Sequence, residues 1–137
     1  MTDPTETAEC LVRVLRKYRD RAYRRELRPA QWDALRFFAY TPEQRRTVSG
    51  FAAYRETTIG TASITISQLV ERGLLQRGVS AGGRNVRMAV TEQGRALLEV
   101  DPLQDLVGMI GQLDASDRAA LGRGLAQLDR ALEDSDT

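Results

Sequence analysis

Thr47-Val48-Ser49-Gly50-Phe51-Ala52-Ala53-Tyr54-Arg55-Glu56-Thr57-Thr58-Ile59-Gly60-Thr61-Ala62-Ser63-Ile64-Thr65-Ile66-Ser67-Gln68-Leu69-Val70-Glu71-Arg72-Gly73 is the stretch whose reading decides the fold. Ser49 is placed to cap a short helix by accepting a backbone N–H, with Phe51, Ala52 and Tyr54 as its inward contacts. Arg55-Glu56-Thr57-Thr58 then interrupts the pattern, and Thr58 offers a second cap, with Thr61 standing where a complete capping box would have Glu or Gln. Ala62, Ile66 and Leu69 recur at i, i+4 and i+7, one face of a helix. Ser63-Ile64-Thr65-Ile66-Ser67 also alternates as a strand would, and Thr and Ile favour strands. Helix is the preferred reading because Gln68 to Arg72 carries the pattern to Gly73, a residue suited to a left-handed helix stop.

A hairpin follows. Leu74 to Val79 is one arm, and Arg84 to Val90 is the other, with Val86, Met88 and Val90 alternating against Arg87 and Ala89. Ser80-Ala81-Gly82-Gly83 forms the tip, where glycine supplies the positive φ that turns need. Thr91 caps the next helix, and Glu92 sits near the positive end of its dipole. Helix, tight turn, helix and hairpin, in that order, make a winged helix-turn-helix, a unit that presents one helix and one hairpin to duplex DNA.

The chain resembles the MarR family of bacterial transcription regulators. The resemblance lies in Arg28-Pro29-Ala30-Gln31-Trp32, Ser49-Gly50-Phe51-Ala52, Gly60-Thr61-Ala62-Ser63, Leu69-Val70-Glu71-Arg72-Gly73-Leu74 and Val86 to Arg95, and it spans nearly the whole sequence. It implies a mainly α (α+β) fold: a winged helix-turn-helix at 28–92, an N-terminal dimerisation helix at 1–27 and C-terminal dimerisation helices at 93–137. It further implies a homodimer whose second motif helix, from near Thr58 to Arg72, enters the major groove while the wing arginine, Arg84, enters the minor groove. Two departures stand out. Gly82-Gly83 replaces the acidic residue that commonly precedes the wing arginine, and Arg28 stands where many members have a Ser or Thr cap, a loss of about 1 kcal/mol.

The 137 residues suit one domain. With no histidine and one cysteine, Cys10, the chain lacks the ligands for an ordinary zinc site, an internal disulfide or histidine acid–base catalysis. No phosphate-binding glycine loop or readable carboxylate pair suggests an enzyme, and no cofactor is called for. There is no run of eighteen apolar residues and no signal-peptide core, so a cytoplasmic protein without a membrane partner is expected. The net charge of +1 hides an uneven distribution. Residues 1–98 carry 17 cations against 10 anions, and residues 99–137 carry 3 against 9. A basic body suits a phosphate-bearing partner, and an acidic tail must face elsewhere.

A helix is expected from near Thr5 to Leu27, with Leu11, Leu15, Tyr18 and Ala22 along one line and Arg13, Arg16, Lys17, Arg21, Arg24 and Arg25 on the other face. Pro29 opens the next helix, which carries Trp32, Leu35, Phe38 and Ala39. Further on, Asp101-Pro102 restarts a helix with Leu103, Leu106, Ile110 and Leu113 in one stripe. Ser116 reads as the cap of a last helix whose Leu121, Leu125, Leu128 and Leu132, at 4-3-4 spacing, form a seam for a partner helix. Leu11, Leu15 and these four leucines are the expected dimer interface.

Between Glu56 and Glu71 there is no charge. Gly60, Thr61, Ser63, Ile64 and Ser67 are expected to face outward and meet DNA through hydroxyls and apolar groups, which gives modest base discrimination, with arginine–phosphate contacts supplying most of the affinity. Helix starts at Ser49 and Thr58 add backbone contacts to phosphate, Arg84 reaches the minor groove, and Asn85 beside it is a further candidate DNA-binding residue. The resemblance also implies release by a small aromatic ligand, for which Tyr18, Tyr23, Trp32 and Phe38 are the candidate lining; the same residues also read as ordinary core. Cys10, with only Arg13 one turn away, reads as a passive helix cysteine. The expected function is a homodimeric, sequence-specific double-stranded DNA-binding regulator, a repressor on an inverted repeat. The alternative is a winged-helix protein-interaction module that does not bind DNA.

Overall fold

In the computed structural model, residues 3–23, 26–78 and 86–135 are described. Arg84, Asn85 and the expected hairpin tip at 80–83 lie outside these residues. The chain divides into two compact units, Met1–Pro102 and Leu103–Thr137.

The first unit contains α1 (Pro4–Tyr23), α2 (Pro29–Tyr40), α3 (Val48–Arg55), α4 (Ile59–Glu71), β1 (Leu75–Arg77), β2 (Met88–Val90) and α5 (Glu92–Leu98), with a 3-10 turn at Glu43–Arg45. The helix-turn-helix is α3 and α4, and the wing is the antiparallel pair β1–β2, with Leu75 opposite Val90 and Arg77 opposite Met88. α1 ends at Tyr23, four residues short of the expected Leu27. Leu27 instead enters the core fully buried.

One apolar cluster holds the unit together. Trp32, Leu35 and Phe38 of α2, Phe51 of α3, Ile66 and Leu69 of α4 and Leu75 of β1 are all fully buried, each worth about 1.5–3 kcal/mol over exposure. Phe37 and Phe38 meet edge to face at 5.1 Å, and Phe51 lies 5.6 Å from Phe37 and 5.7 Å from Phe38. Tyr54, expected inside, is largely exposed and lays one ring face against Phe37 at 5.2 Å. Polar ties cross the cluster: Trp32 Nε1 donates to the Ala22 carbonyl at 3.1 Å, and Gln31 Nε2 donates to Gln68 Oε1 at 3.2 Å.

The helix ends show local sequence acting directly. Thr47, not Ser49, caps α3, its Oγ1 accepting from Gly50 N at 3.0 Å; Ser49 lies one position inside the helix start, and its Oγ is 3.3 Å from Thr47 Oγ1. Thr58 caps α4 by accepting from Thr61 N at 3.1 Å, and Thr91 caps α5 by accepting from Gly94 N at 3.1 Å. At α2 the Arg28 side chain has no oxygen to accept with, but half of a capping box survives: Gln31 Oε1 accepts from Arg28 N at 2.8 Å. Gly73, at φ 76°, closes α4 as a Schellman motif, with Leu74 N donating to Leu69 O at 2.9 Å and Gly73 N to Val70 O at 3.0 Å.

The second unit consists of α6, which starts at Pro102 and ends at Gly111, and α7 (Ala115–Ser135). Asp114 rather than Ser116 caps α7, its Oδ1 accepting from Asp117 N at 2.8 Å. α7 buries no residue, and Leu121, Leu125, Leu128 and Leu132 are all exposed.

Candidate nucleic-acid interface

α4 carries its burial on one side only. Ala62, Thr65, Ile66 and Leu69 face the core, and Gly60, Thr61, Ile64 and Ser67 are exposed, with Ser63 half-buried. This periodicity settles the strand-like stretch Ser63–Ser67 as helix. Thr65, absent from the expected inward set, turns its hydroxyl back to donate to the Thr61 carbonyl at 3.4 Å, so burial leaves no orphaned group. The residues expected to meet DNA on this helix are therefore brought together on one uncharged surface. Ser49 and Thr58 are exposed at the starts of α3 and α4. Thr58 is internally engaged, its hydroxyl accepting from Thr61 N and donating to Thr61 Oγ1 at 3.0 Å, so it shapes the helix start. Arg84 and Asn85 lie outside the described residues.

A groove of about 420 Å³ runs between the start of α3, α4 and the wing. Val48, Ile66, Val86 and Met88 make its apolar floor, and Thr47, Ser49, Ser63 and Arg77 make its polar edge. Arg77, on β1, adds a cation beside the uncharged helix that the sequence reading did not single out. Strand alternation gave no signal for it, since Leu75 and Arg77 are two residues apart on β1 and yet Leu75 is buried and Arg77 exposed. Arg46 fixes the wing to the helices. Its Nε donates to the Thr41 carbonyl at 2.7 Å, and its own carbonyl accepts from Met88 N at 2.8 Å. Arg87 forms a long, exposed pair with Glu43 at 3.8 Å, worth little by itself.

The four aromatics expected around a ligand have separate settings. Trp32 and Phe38 are buried in the core, Tyr23 is exposed, and Tyr18 is half-buried. None of them lines the groove described above. Tyr18 belongs to a polar cluster that the sequence did not reveal. Arg36 donates to Tyr18 Oη at 3.0 Å, to Asp33 Oδ1 at 2.8 Å and to both carboxylate oxygens of Asp101. Asp33 also pairs with Arg55 of α3. Burial pushes the Tyr18 hydroxyl above its ordinary pKa, with the Arg36 charge partly offsetting the rise. Burial pulls on Arg36 in the opposite sense, but the hydrogen bond and charge of Asp101 outweigh it and hold that pKa above the ordinary value. Asp33-x-x-Arg36 is readable as an i, i+3 pair; Asp101, 65 residues away from Arg36, is not.

Among solved structures the chain is similar to Streptococcus pneumoniae FabT in complex with DNA, at 21% identity and a TM-score of 0.78 over 96% of this chain and 99% of that one. It is similar to the Staphylococcus aureus MepR–DNA complex at 18% identity and a TM-score of 0.71, over 95% of this chain and 96% of that one. A probable transcriptional regulator from Pseudomonas aeruginosa aligns at 22% identity and a TM-score of 0.68, over 87% and 93%. No protein-family model and no curated protein matches the chain. At these identities the likeness establishes a shared winged-helix fold along nearly the whole length.

Proposed function

We propose that this chain, which has the winged-helix fold of MarR-type regulators, is a cytoplasmic, non-enzymatic transcription regulator. In this reading it acts as a repressor by binding an inverted repeat in double-stranded DNA as a homodimer. The observation that carries the reading is the outward face of α4: exposed from Gly60 to Ser67, free of charge, and flanked by the cation of Arg77. A merely solvated helix face generally carries Lys and Glu. A surface of small hydroxyl and aliphatic groups suits base edges, with phosphates left to the flanking arginines. Arg84 is proposed to enter the minor groove from the wing tip.

Exposed leucines support the dimer. Leu121, Leu125, Leu128 and Leu132 of α7 keep the 4-3-4 spacing of a helix seam, and Leu15 of α1 is also exposed. Apolar seams of this length are rarely left in water, and a second copy is the self-complementary partner that two-fold symmetry provides. A small aromatic effector remains part of the proposal, with Tyr18 and Tyr23 the more accessible of the four candidate aromatics.

The test is the salt dependence of duplex binding. A DNA reader loses affinity steeply as salt rises, with a slope set by the phosphates it neutralises. Affinity for duplex that is absent, or flat in salt, overturns the reading in favour of a protein-interaction module. Arg84→Ala should weaken binding at matched salt and leave the oligomeric state unchanged.

A further inference from the structure

The outermost line of α4 is Gly60, Ile64 and Ser67, at i, i+4 and i+7, and all three are exposed. Ile64 keeps 62% of its surface in contact with water. One turn before it, a Cβ added at Gly60 would meet nothing nearer than Thr58 Oγ1 at 3.9 Å. One turn after it comes Ser67. Ile64 is thus the one large side chain on this line, and it rises from a surface that is otherwise almost flush with the backbone. Small neighbours on both sides let the helix come close to whatever it docks on, and the branched aliphatic tip arrives first. Ile59 is similarly exposed but belongs to the groove beside the wing, next to Val48 and Met88.

Some of the threonine hydroxyls of this segment are committed within the helix. Thr58 and Thr61 bond to each other, and Thr65 bonds inward to the Thr61 carbonyl. No cation on α4 can take guanine O6 and N7. Of the groups that base pairs show in the major groove, only one is apolar: the C5 methyl of thymine.

We propose that Ile64 is a specificity-determining residue and packs on a thymine C5 methyl in each half of the operator. The inference rests on the DNA-binding reading and adds the base and the chemical group that are read. It also gives an exposed isoleucine a role that solvation does not.

The experiment uses the full chain and a duplex recovered from a random pool by the protein itself. Its thymines are replaced one at a time by deoxyuridine, which removes the methyl and keeps every hydrogen-bonding group. Wild type should lose about fourfold in affinity at one thymine per half-site, the loss expected for one buried methyl-sized group. Ile64→Ser should bind the thymine and deoxyuridine duplexes equally, and Ile64→Val should retain part of the difference. Because the decisive change lies in the DNA, it does not depend on how a variant folds.

Salt-dependent binding that is indifferent to every deoxyuridine replacement overturns this inference alone. So does an Ile64→Ser variant that keeps the full thymine preference, and so does capture of Ile64 by an apolar protein surface while duplex binding survives Ile64→Ser unchanged. If no duplex gives salt-dependent binding, the DNA reading falls first and takes this inference with it.

Discussion

Arg36 holds Asp101 in a two-pronged grip, Nε to Oδ2 at 2.7 Å and Nη2 to Oδ1 at 2.8 Å, with the Asp101 side chain 2% exposed. The same guanidinium reaches Tyr18 of α1 and Asp33 of α2, and Asp33 continues to Arg55 of α3. One charge cluster therefore ties the N-terminal helix, the support helix, the first motif helix and the residue that leads into α6. Breaking a buried pair from one side leaves a charge without its partner. Asp101→Asn should lower the free energy of unfolding by about 3 kcal/mol. The combined change Arg36→Met with Asp101→Leu should recover most of that loss. Denaturant titration of the three proteins checks this, and a loss under about 1 kcal/mol for Asp101→Asn would show that the pair behaves as a surface contact.

Glu56 sits between the two motif helices with φ 54°, and Thr57 N donates to Ala52 O at 3.0 Å across it. A side chain in the left-handed region costs roughly 1–2 kcal/mol, and glycine escapes that cost but surrenders more chain entropy on folding. Glu56 is exposed. Glu56→Gly should therefore stabilise the fold, by up to about 1 kcal/mol, seen as a later unfolding midpoint with an unchanged denaturant slope. A lower midpoint would mean that the carboxylate has a partner worth more than the strain.

Gly94 is held in a tighter place than any turn requires. A Cβ there would lie 2.4 Å from the Leu74 carbonyl oxygen and 2.7 Å from Val90 Cγ1, both part of the wing base. Gly94→Ala must push α5 away from the hairpin, at a cost of about 2–3 kcal/mol for overpacking. Thermal unfolding checks it, and an unchanged midpoint would show that α5 can slide freely.

The reach of the sequence is uneven, for physical reasons. The motif helices, the caps at Thr58 and Thr91 and the stop at Gly73 were legible because each is a local event governed by residues within one turn. Ser49 and Ser116 read as caps from sequence while Thr47 and Asp114 serve in the structure, because in each place two capping residues stand within two positions of each other. Backbone geometry, not residue type, chose between them. Tyr54 reads as inward from sequence because a helix as short as α3 shows too few turns to separate a core face from its rim. The Arg36–Asp101 grip was invisible, since nothing local marks two residues 65 apart as neighbours. The exposed line of α4 was legible because the absence of charge over a whole helix is a pattern in itself, whereas Arg77 was hidden among many arginines.

Leu125 and Leu128 sit mid-seam on α7, both exposed, in a unit where α7 buries nothing. If a second copy covers them, charges placed there must be desolvated on association, which costs far more than the lost apolar contact. The pair Leu125→Glu and Leu128→Glu should convert a dimer into a monomer in sedimentation and weaken operator binding in proportion. Trp32 fluorescence should stay unchanged, because Trp32 belongs to the core of the first unit. A variant that still sediments as a dimer would move the interface elsewhere.

A two-fold dimer reads two half-sites on one face of the duplex, about 10 bp centre to centre, because that spacing is one helical turn. Adding about 5 bp between the halves turns one of them to the opposite face, where the second copy of α4 meets only backbone. Affinity should then fall to the level of random duplex, since what remains is phosphate attraction without base contacts. An insertion of a full turn restores the face but stretches the site by about 34 Å, so a rigid pair should recover little. Competition binding at one salt concentration separates these cases. Equal affinity for the native and half-turn spacings would mean that each copy binds alone, and the inverted-repeat reading would have to be given up.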